Sequence, residues 1–551
     1  NVAARLTQMA KTMPDAVAVV EPLGYDGNGK RQYRQVSFRE LDEDSDRIAR
    51  GLAEMDIPRG TRLALLVKPG IDFISLVFAT MKAGTVSILI DPGMGRENMI
   101  RCLQESEPEG FVAIPVAQAI RTVLRRRFPK ARYNVTVGRR WFWGGITLAK
   151  LRQTTRQGSE LADTAGDDAA AIIFTTGSTG PPKGVLYSHG NFDAQVTEIR
   201  DFYDIRQGEV DLPGFPLFGL FNCAMGVTTI IPDMDPSRPA LVDPVKIIEA
   251  VDDWQVTQAF GSPAIWNRVG RYCEEHGRRL ATVRRVLSAG APVPAHVLRR
   301  MKDCIHSEGD IHTPYGATES LPVASIAASE VLSETAAGTD QGAGVCIGRR
   351  FPGMRWKVVR EVDGPIPTIE DAQPLPQGQI GELIVSGCVT TQTYLNRLEA
   401  TANAKIADPS GNESGFWHRM GDVGYLDDQD RFWFCGRMAH RVLTVDGTMY
   451  TIPCEAIFNR HPSIYRSALV GVGPVGQQRP VIILEPESGK MPNSDADREE
   501  LLDEIRELGG SSDKTAAVDN FLLHESLPVD IRHNAKIFRE KLAVWAEGRV
   551  M

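Results

Sequence analysis

The segment 169–191, AAAIIFTTGSTGPPKGVLYSHGN, carries an apolar run into a loop dense in hydroxyls and glycines, with one lysine. Those residue types suit an anion. Gly177, Gly180 and Gly184 let backbone amides approach closely, Thr175, Thr176, Ser178 and Thr179 supply hydroxyl donors, and Lys183 supplies mobile positive charge. The expected chemistry is phosphate binding. A Walker A loop is a different pattern, because Lys183 stands between Pro182 and Gly184 rather than between Gly and Ser or Thr. A merely flexible surface loop is the plain alternative, and so biased a composition argues against it. No G-x-S-x-G elbow occurs, so a serine-hydrolase arrangement is not indicated.

A phosphate loop must be held by rigid elements. From about residue 40 to 190, short β-rich runs alternate with amphipathic stretches, the pattern of βα units on largely parallel sheets. Residues 62–67 and 85–91 read as strands, and 71–83 and 99–107 as helices. Further β-rich pieces at 381–386 and 424–434, the latter turning at Asp427-Asp428-Gln429-Asp430, predict an additional sheet or barrel-like layer. After Gly436 a mixed stretch ends in a charged helix predicted over 534–545, a size suited to one small α+β domain with its boundary near 437–441. The fold class is therefore α/β.

The 551 residues leave room for several folding units, and 42% hydrophobic with 24% charged residues is an ordinary globular mixture. The net charge of -8 argues against a nucleic-acid partner, and Arg125-Arg126-Arg127 reads as a solvated helix face. Cysteines 102, 223, 273, 304, 346, 388, 435 and 454 contain no C-x-x-C pair, so neither a zinc site nor a disulfide framework is predicted. A reducing cytoplasm is the expected location. No apolar run approaches the roughly 18 residues that span a bilayer.

Four more segments carry chemistry: Ser288-Ala289-Gly290-Ala291-Pro292, Tyr315-Gly316-Ala317-Thr318-Glu319, the stretch Trp417 to Tyr425 leading to Gly436-Arg437, and Asn534-Ala535-Lys536-Ile537. Together with 176–184, in this order and over nearly the whole chain, they resemble the adenylate-forming superfamily of acyl-CoA synthetases, peptide-synthetase adenylation domains and luciferases. The resemblance implies a large N-terminal domain, 1–437, of two βα-layered sheets and a β layer, which binds ATP and an acyl group. It implies also a small mobile domain, 438–551, with a catalytic lysine. Gly290, Ala291 and Pro292 are then expected on the adenine side, Tyr315 and Gly316 against adenine, and Thr318 at the α-phosphate. Glu319 is expected on Mg²⁺, Asp422 on the ribose hydroxyls, Arg437 on ribose or phosphate, and Lys536 between carboxylate and phosphate. A ring face suits a base and a hard carboxylate oxygen suits magnesium. A carboxylate attacking an anionic α-phosphate needs cations where charge accumulates, and Lys183, Arg437, Lys536 and Mg²⁺ are the candidates.

The stretches 215–221 and 528–537 are similar to the olefin β-lactone synthetases of bacterial long-chain hydrocarbon biosynthesis. That resemblance implies adenylation of a 2-alkyl-3-hydroxy fatty acid, displacement of AMP by the acid's own hydroxyl, and other enzymes of a hydrocarbon pathway as partners. The alternative is a long-chain fatty acyl-CoA synthetase with the same first step. A non-catalytic nucleotide-binding scaffold is a third reading, and retention of Lys183, Glu319, Asp422 and Lys536 speaks against it. Departures from the superfamily pattern fall at the hinge, where His440 takes an aspartate's place, and at Ala535, which replaces a glycine. The G-x-G-x-x-G run 471–476 precedes a strand-like stretch and reads as a turn. His189 reads as structural rather than functional. Phe218 and Phe221 are expected to shape an acyl pocket. Trp254, Phe260, Pro263 and Trp266 suit either a channel or a core, and Trp141-Phe142-Trp143 is expected to pack inside rather than meet lipid.

Overall fold

The computed structural model describes residues 1–156, 161–175, 181–409, 415–529 and 536–550. Among these residues the strands form sheets of seven, nine, six and three strands and a two-stranded ribbon. The seven-stranded sheet runs Ile146–Thr147, Tyr133–Thr136, Gly110–Ala113, Arg62–Leu66, Val86–Leu89, Ala169–Phe174, Gly184–Ser188. All but the last pairing are parallel. Continuous apolar runs such as AAAIIF are what a strand covered on both faces requires. The predicted elements at 62–67, 71–83, 85–91 and 99–107 appear as Arg62–Leu66, Ile71–Lys82, Val86–Leu89 and Arg96–Ser106.

The nine-stranded sheet has a parallel centre, from Asp310–Ala317 through Arg285–Ser288, Gln258–Gly261, Val210–Pro213 and Thr228–Ile230 to Val17–Tyr25, with antiparallel strands at both margins. Helix Ile71–Lys82 touches both this sheet and the seven-stranded one, and every residue of it except Asp72 is buried. An apolar helix of this kind has no polar face to show to water and belongs between layers. Its one buried charge, Lys82, is paired with Asp42 and Asp46, each at 2.6 Å, which offsets the cost of desolvation.

The six-stranded antiparallel sheet is the expected β layer. It runs Val345–Cys346, Phe432–Arg437, Phe416–Leu426, Gly381–Gly387, Met354–Val359, with Lys405–Ala407 beside Phe416–Leu426. The hairpin predicted around 427–430 is present: Asp427 N–H donates to the Arg431 carbonyl at 3.0 Å, and Asp430 takes φ 57°, a left-handed conformation aspartate tolerates.

Beyond Arg437, strands Ile464–Val472, Arg479–Pro486 and Asn520–Leu523 pack with helices Thr451–Phe458, Asp495–Gly510 and Arg539–Glu547 around their own apolar clusters. The 471–476 run is the turn of an antiparallel pair, as expected. The charged helix begins at Arg539 rather than 534; residues 534 and 535 lie outside the described set. Among the described residues no helix is long and apolar enough to cross a membrane.

Candidate active site

The hairpin Phe416–Leu426 to Phe432–Arg437 places Asp422 and Arg437 directly opposite each other. Register alone thus produces their ion pair, Nη1 to Oδ1 at 3.1 Å. Asp422 is 3% exposed. Burial pushes its carboxyl above the usual range, and the Arg437 guanidinium works against that shift. Arg437 is held above its ordinary value by the same carboxylate. The second Asp422 oxygen, Oδ2, accepts a hydrogen bond from the Tyr315 hydroxyl, which reaches across from the nine-stranded sheet. Burial and the neighbouring carboxylate raise the Tyr315 phenol well above its usual value.

Glu319 follows Tyr315 around a turn in which a side chain on Gly316 would meet Leu321 Cβ and the Ser320 carbonyl at 2.8 Å. Its Oε1 accepts from the Tyr394 hydroxyl at 2.5 Å, and its main-chain carbonyl accepts from Thr391 N–H and Oγ1 at 2.9 and 3.0 Å. The Thr318 carbonyl accepts from Tyr187. The Lys183 ammonium stands 4.9 Å from the Tyr394 ring centroid. Tyr394 thus holds the lysine by its face and the glutamate by its hydroxyl. Lys183 itself sits at the mouth of the hairpin from Ala169–Phe174 to Gly184–Ser188, where Thr175 N–H donates to the Lys183 carbonyl at 2.9 Å and Lys183 N–H to Thr175 Oγ1 at 3.1 Å.

Thr175, Lys183, Gly290, Ala291, Pro292, Tyr315, Gly316, Thr318, Glu319, Asp422, Arg437 and Lys536 all line one cavity of about 2530 Å³. Thr176, Gly177, Ser178, Thr179 and Gly180 lie outside the described residues. Lys536 lies near enough for its charge to act on Asp422. A cavity this size exceeds the about 300–1,000 Å³ of ordinary small-ligand sites. Its apolar end is walled by Phe73, Phe192, Phe218, Phe221 and Phe260, with Phe218 stacked on Phe260 at 3.7 Å between centroids. Phe218 and Phe221 therefore stand where a pocket wall was expected. Phe260 and Pro263 line the cavity, whereas Trp266 is fully buried and Trp254 packs edge-on against Tyr33.

Of two further expectations, one agrees with the structure and one needs adjusting. His189 is 2% exposed, opens helix His189–Phe202 directly after its N-cap Ser188, receives Val2 N–H on Nδ1 at 3.4 Å and stands outside the cavity wall, which agrees with a structural role. Burial pushes its imidazole down to about 4. In Trp141-Phe142-Trp143 only Trp143 packs inside, donating Nε1–H to Thr136 at 2.9 Å. Trp141 and Phe142 are exposed, because the short loop has one inward position and Trp143 fills it.

Sequence reasoning missed Tyr394, Lys405 and His418. Lys405 and His418 are register partners, and the Lys405 ammonium donates to the Thr391 carbonyl, one step from Glu319. Burial pushes Lys405 down to about 7, against the pull of Glu319, and holds His418 neutral. Nothing local marked them, since each acts through residues distant in the chain.

A family model described as AMP-binding enzyme matches residues 6–395. The chain is 46% identical over 549 residues to an olefin beta-lactone synthetase of Xanthomonas campestris pv. campestris, covering 99% of this chain and 97% of that one. It is 45% identical over 554 residues to one from Stenotrophomonas maltophilia, covering 100% and 98%. The fold matches the ATP-bound structure of MatB from Rhodopseudomonas palustris with a TM-score of 0.75 at 20% identity, over 99% of each chain. The chain belongs to the AMP-binding enzyme family, in the branch that contains the olefin beta-lactone synthetases.

Proposed function

We infer that this enzyme joins a 2-alkyl-3-hydroxy fatty acid to AMP and then closes the acid on itself to a β-lactone. The observation that carries the reading is the convergence of Lys183, Glu319, Asp422, Arg437 and Lys536 on one cavity with an aromatic apolar end. In the first step a carboxylate oxygen attacks the α-phosphorus of ATP, the bond to the bridging oxygen breaks, and pyrophosphate leaves. Both partners are anionic, so Lys183 and Lys536 serve where negative charge builds. Asp422 accepts hydrogen bonds from ribose and Tyr315 lies against adenine. The Arg437 guanidinium opposes the upward shift that burial imposes on the Asp422 carboxyl.

Glu319 fits a magnesium ion: Tyr394 occupies Oε1, and Oε2 carries no hydrogen bond among the described residues. Such an ion would neutralise phosphate charge. In the second step the 3-hydroxyl oxygen attacks the acyl carbon, its proton passes to water, and AMP departs with the former carboxylate oxygen. An intramolecular hydroxyl needs no second substrate site, although ring strain offsets part of the proximity gain.

Residues 438–551 act as the mobile unit that brings Lys536 to the cavity. His440 at the junction hydrogen-bonds Glu540 at 3.0 Å, and Arg539 pairs with buried Glu455 at 2.7 Å, so the start of the helix that follows Lys536 is tied down twice. Other enzymes of a hydrocarbon pathway would supply the hydroxy acid and consume the lactone. Product analysis by mass spectrometry, with ATP, Mg²⁺ and a 2-alkyl-3-hydroxy acid, tests the reading. Lactone and AMP are expected without coenzyme A; turnover that strictly requires coenzyme A and yields a thioester would establish the acyl-CoA synthetase instead.

A further inference from the structure

Between Glu109 and Glu160 lie eleven lysines and arginines and no aspartate or glutamate, in a chain whose net charge is -8. Within this stretch the loop joining Tyr133–Thr136 to Ile146–Thr147 exposes Trp141 by 63% and Phe142 by 76%. Both rings lean on buried Trp143, at 5.9 and 5.1 Å between centroids, so they are held outward on a fixed base. The start of the loop touches helix Pro115–Val123, where Gly138 abuts Pro115. That helix exposes Val116 by 66% and Val123 by 81%, seven residues apart and hence on one face. Arg139 and Arg140 flank the aromatic pair, and Arg125 and Arg126 follow the helix. None of these four arginines has a carboxylate partner among the described residues.

The tip has a definite relation to the cavity. It leaves the C-terminal end of its strand, and the parallel neighbours Arg62–Leu66, Val86–Leu89 and Ala169–Phe174 line the cavity at their own C-terminal ends through Leu65, Leu89 and Phe174. Four strand spacings separate the tip from the phosphate-loop strand, about 19 Å at about 4.8 Å each. Tip and cavity share one edge of one sheet.

We propose that this tip is a docking surface for an anionic lipid bilayer. Exposed Trp and Phe are the side chains that settle at a headgroup boundary, and arginines without a carboxylate partner beside them complement anionic headgroups. Each arginine near such a surface strengthens binding about fivefold. Docking there sets the cavity-bearing edge of the sheet toward the membrane. The inference rests on the surface alone and stands or falls independently of the reaction in the cavity.

Co-sedimentation of the full chain with vesicles of phosphatidylcholine, alone or mixed with phosphatidylglycerol, tests it. Binding to the mixed vesicles is expected, weakened by salt, and reduced about tenfold or more in the double variant Trp141→Ser, Phe142→Ser. Arg139→Glu with Arg140→Glu is expected to abolish the preference for phosphatidylglycerol. Pyrophosphate release with a dispersed acid should be unchanged in both, which certifies the fold. In the conservative variant Trp141→Phe, quenching of tryptophan fluorescence by brominated lipid should drop while binding persists. Absence of vesicle binding by the wild type would overturn the proposal. So would equal binding by the Ser double variant, which marks plain electrostatic adsorption, or capture of the tip by an acidic protein while vesicles stay unbound.

Discussion

In the proposed function, Lys536 carries the charge that the adenylation step needs most and the bound ground state needs least. Lys536→Ala is therefore expected to lower AMP formation about a hundredfold or more while the Kd for ATP changes less than about threefold. A pyrophosphate-release assay beside a nucleotide titration measures both. Tyr394 lines the cavity and holds Lys183 by its ring face and Glu319 by its hydroxyl, so it acts as a positioning residue. Tyr394→Phe keeps the ring over Lys183 and loses the bond to Glu319, and should raise the Mg²⁺ concentration at half-maximal rate several-fold with little effect on the ATP Kd. Asp211 offers a different test. It is buried with Asn222 as its partner at 2.6 Å, and burial pushes it up to about 7. A raised acid is protonated in the folded chain and ionised in the unfolded one, so its contribution is full below about 4 and lost as pH rises towards 7. Asp211→Asn should flatten that part of the Tm-against-pH curve, measured by scanning calorimetry.

The hairpin from Phe416 to Arg437 shows how an element makes a site. Its strands are rich in β-forming residues and its turn is built of aspartates, both local signals, so 424–434 was legible in the sequence and the Asp422–Arg437 pair follows from register. Gly424 lies in that ladder, and a side chain there would collide with the Trp433 carbonyl and the Phe432 ring. Gly424→Val should break the register, lowering Tm by several degrees and raising the KM for ATP by about tenfold or more. Arg539→Ala leaves Glu455 buried without its partner, a loss of about 3–5 kcal/mol in comparable buried pairs, and should melt the C-terminal unit first. Where the sequence was silent, the reason is range. Tyr394 meets Glu319 seventy-five residues away, and Lys405 meets His418 across a strand pairing that no periodicity announces. Trp141 and Phe142 were misjudged because composition alone does not say which of three adjacent aromatic rings finds the single inward position.

At the scale of the molecule, two sheets with a shared buried helix hold the phosphate hairpin and the aromatic wall, the β layer holds Asp422 and Arg437, and the C-terminal unit delivers Lys536. The α/β class and its order of layers were legible because apolar period and turn chemistry are written locally; the common cavity was not, since it forms only when all three parts are assembled. The claim on which everything rests is that a substrate carboxylate attacks the α-phosphorus inside that cavity and that the substrate's own hydroxyl then attacks the acyl carbon, so that AMP departs with the former carboxylate oxygen. Turnover of a 2-alkyl-3-hydroxy acid labelled with heavy oxygen in its carboxylate, without coenzyme A, traces both events. One labelled oxygen should appear in AMP and one should remain in the lactone; AMP free of label, with both labelled oxygens kept in the organic product or found in pyrophosphate, would contradict the account.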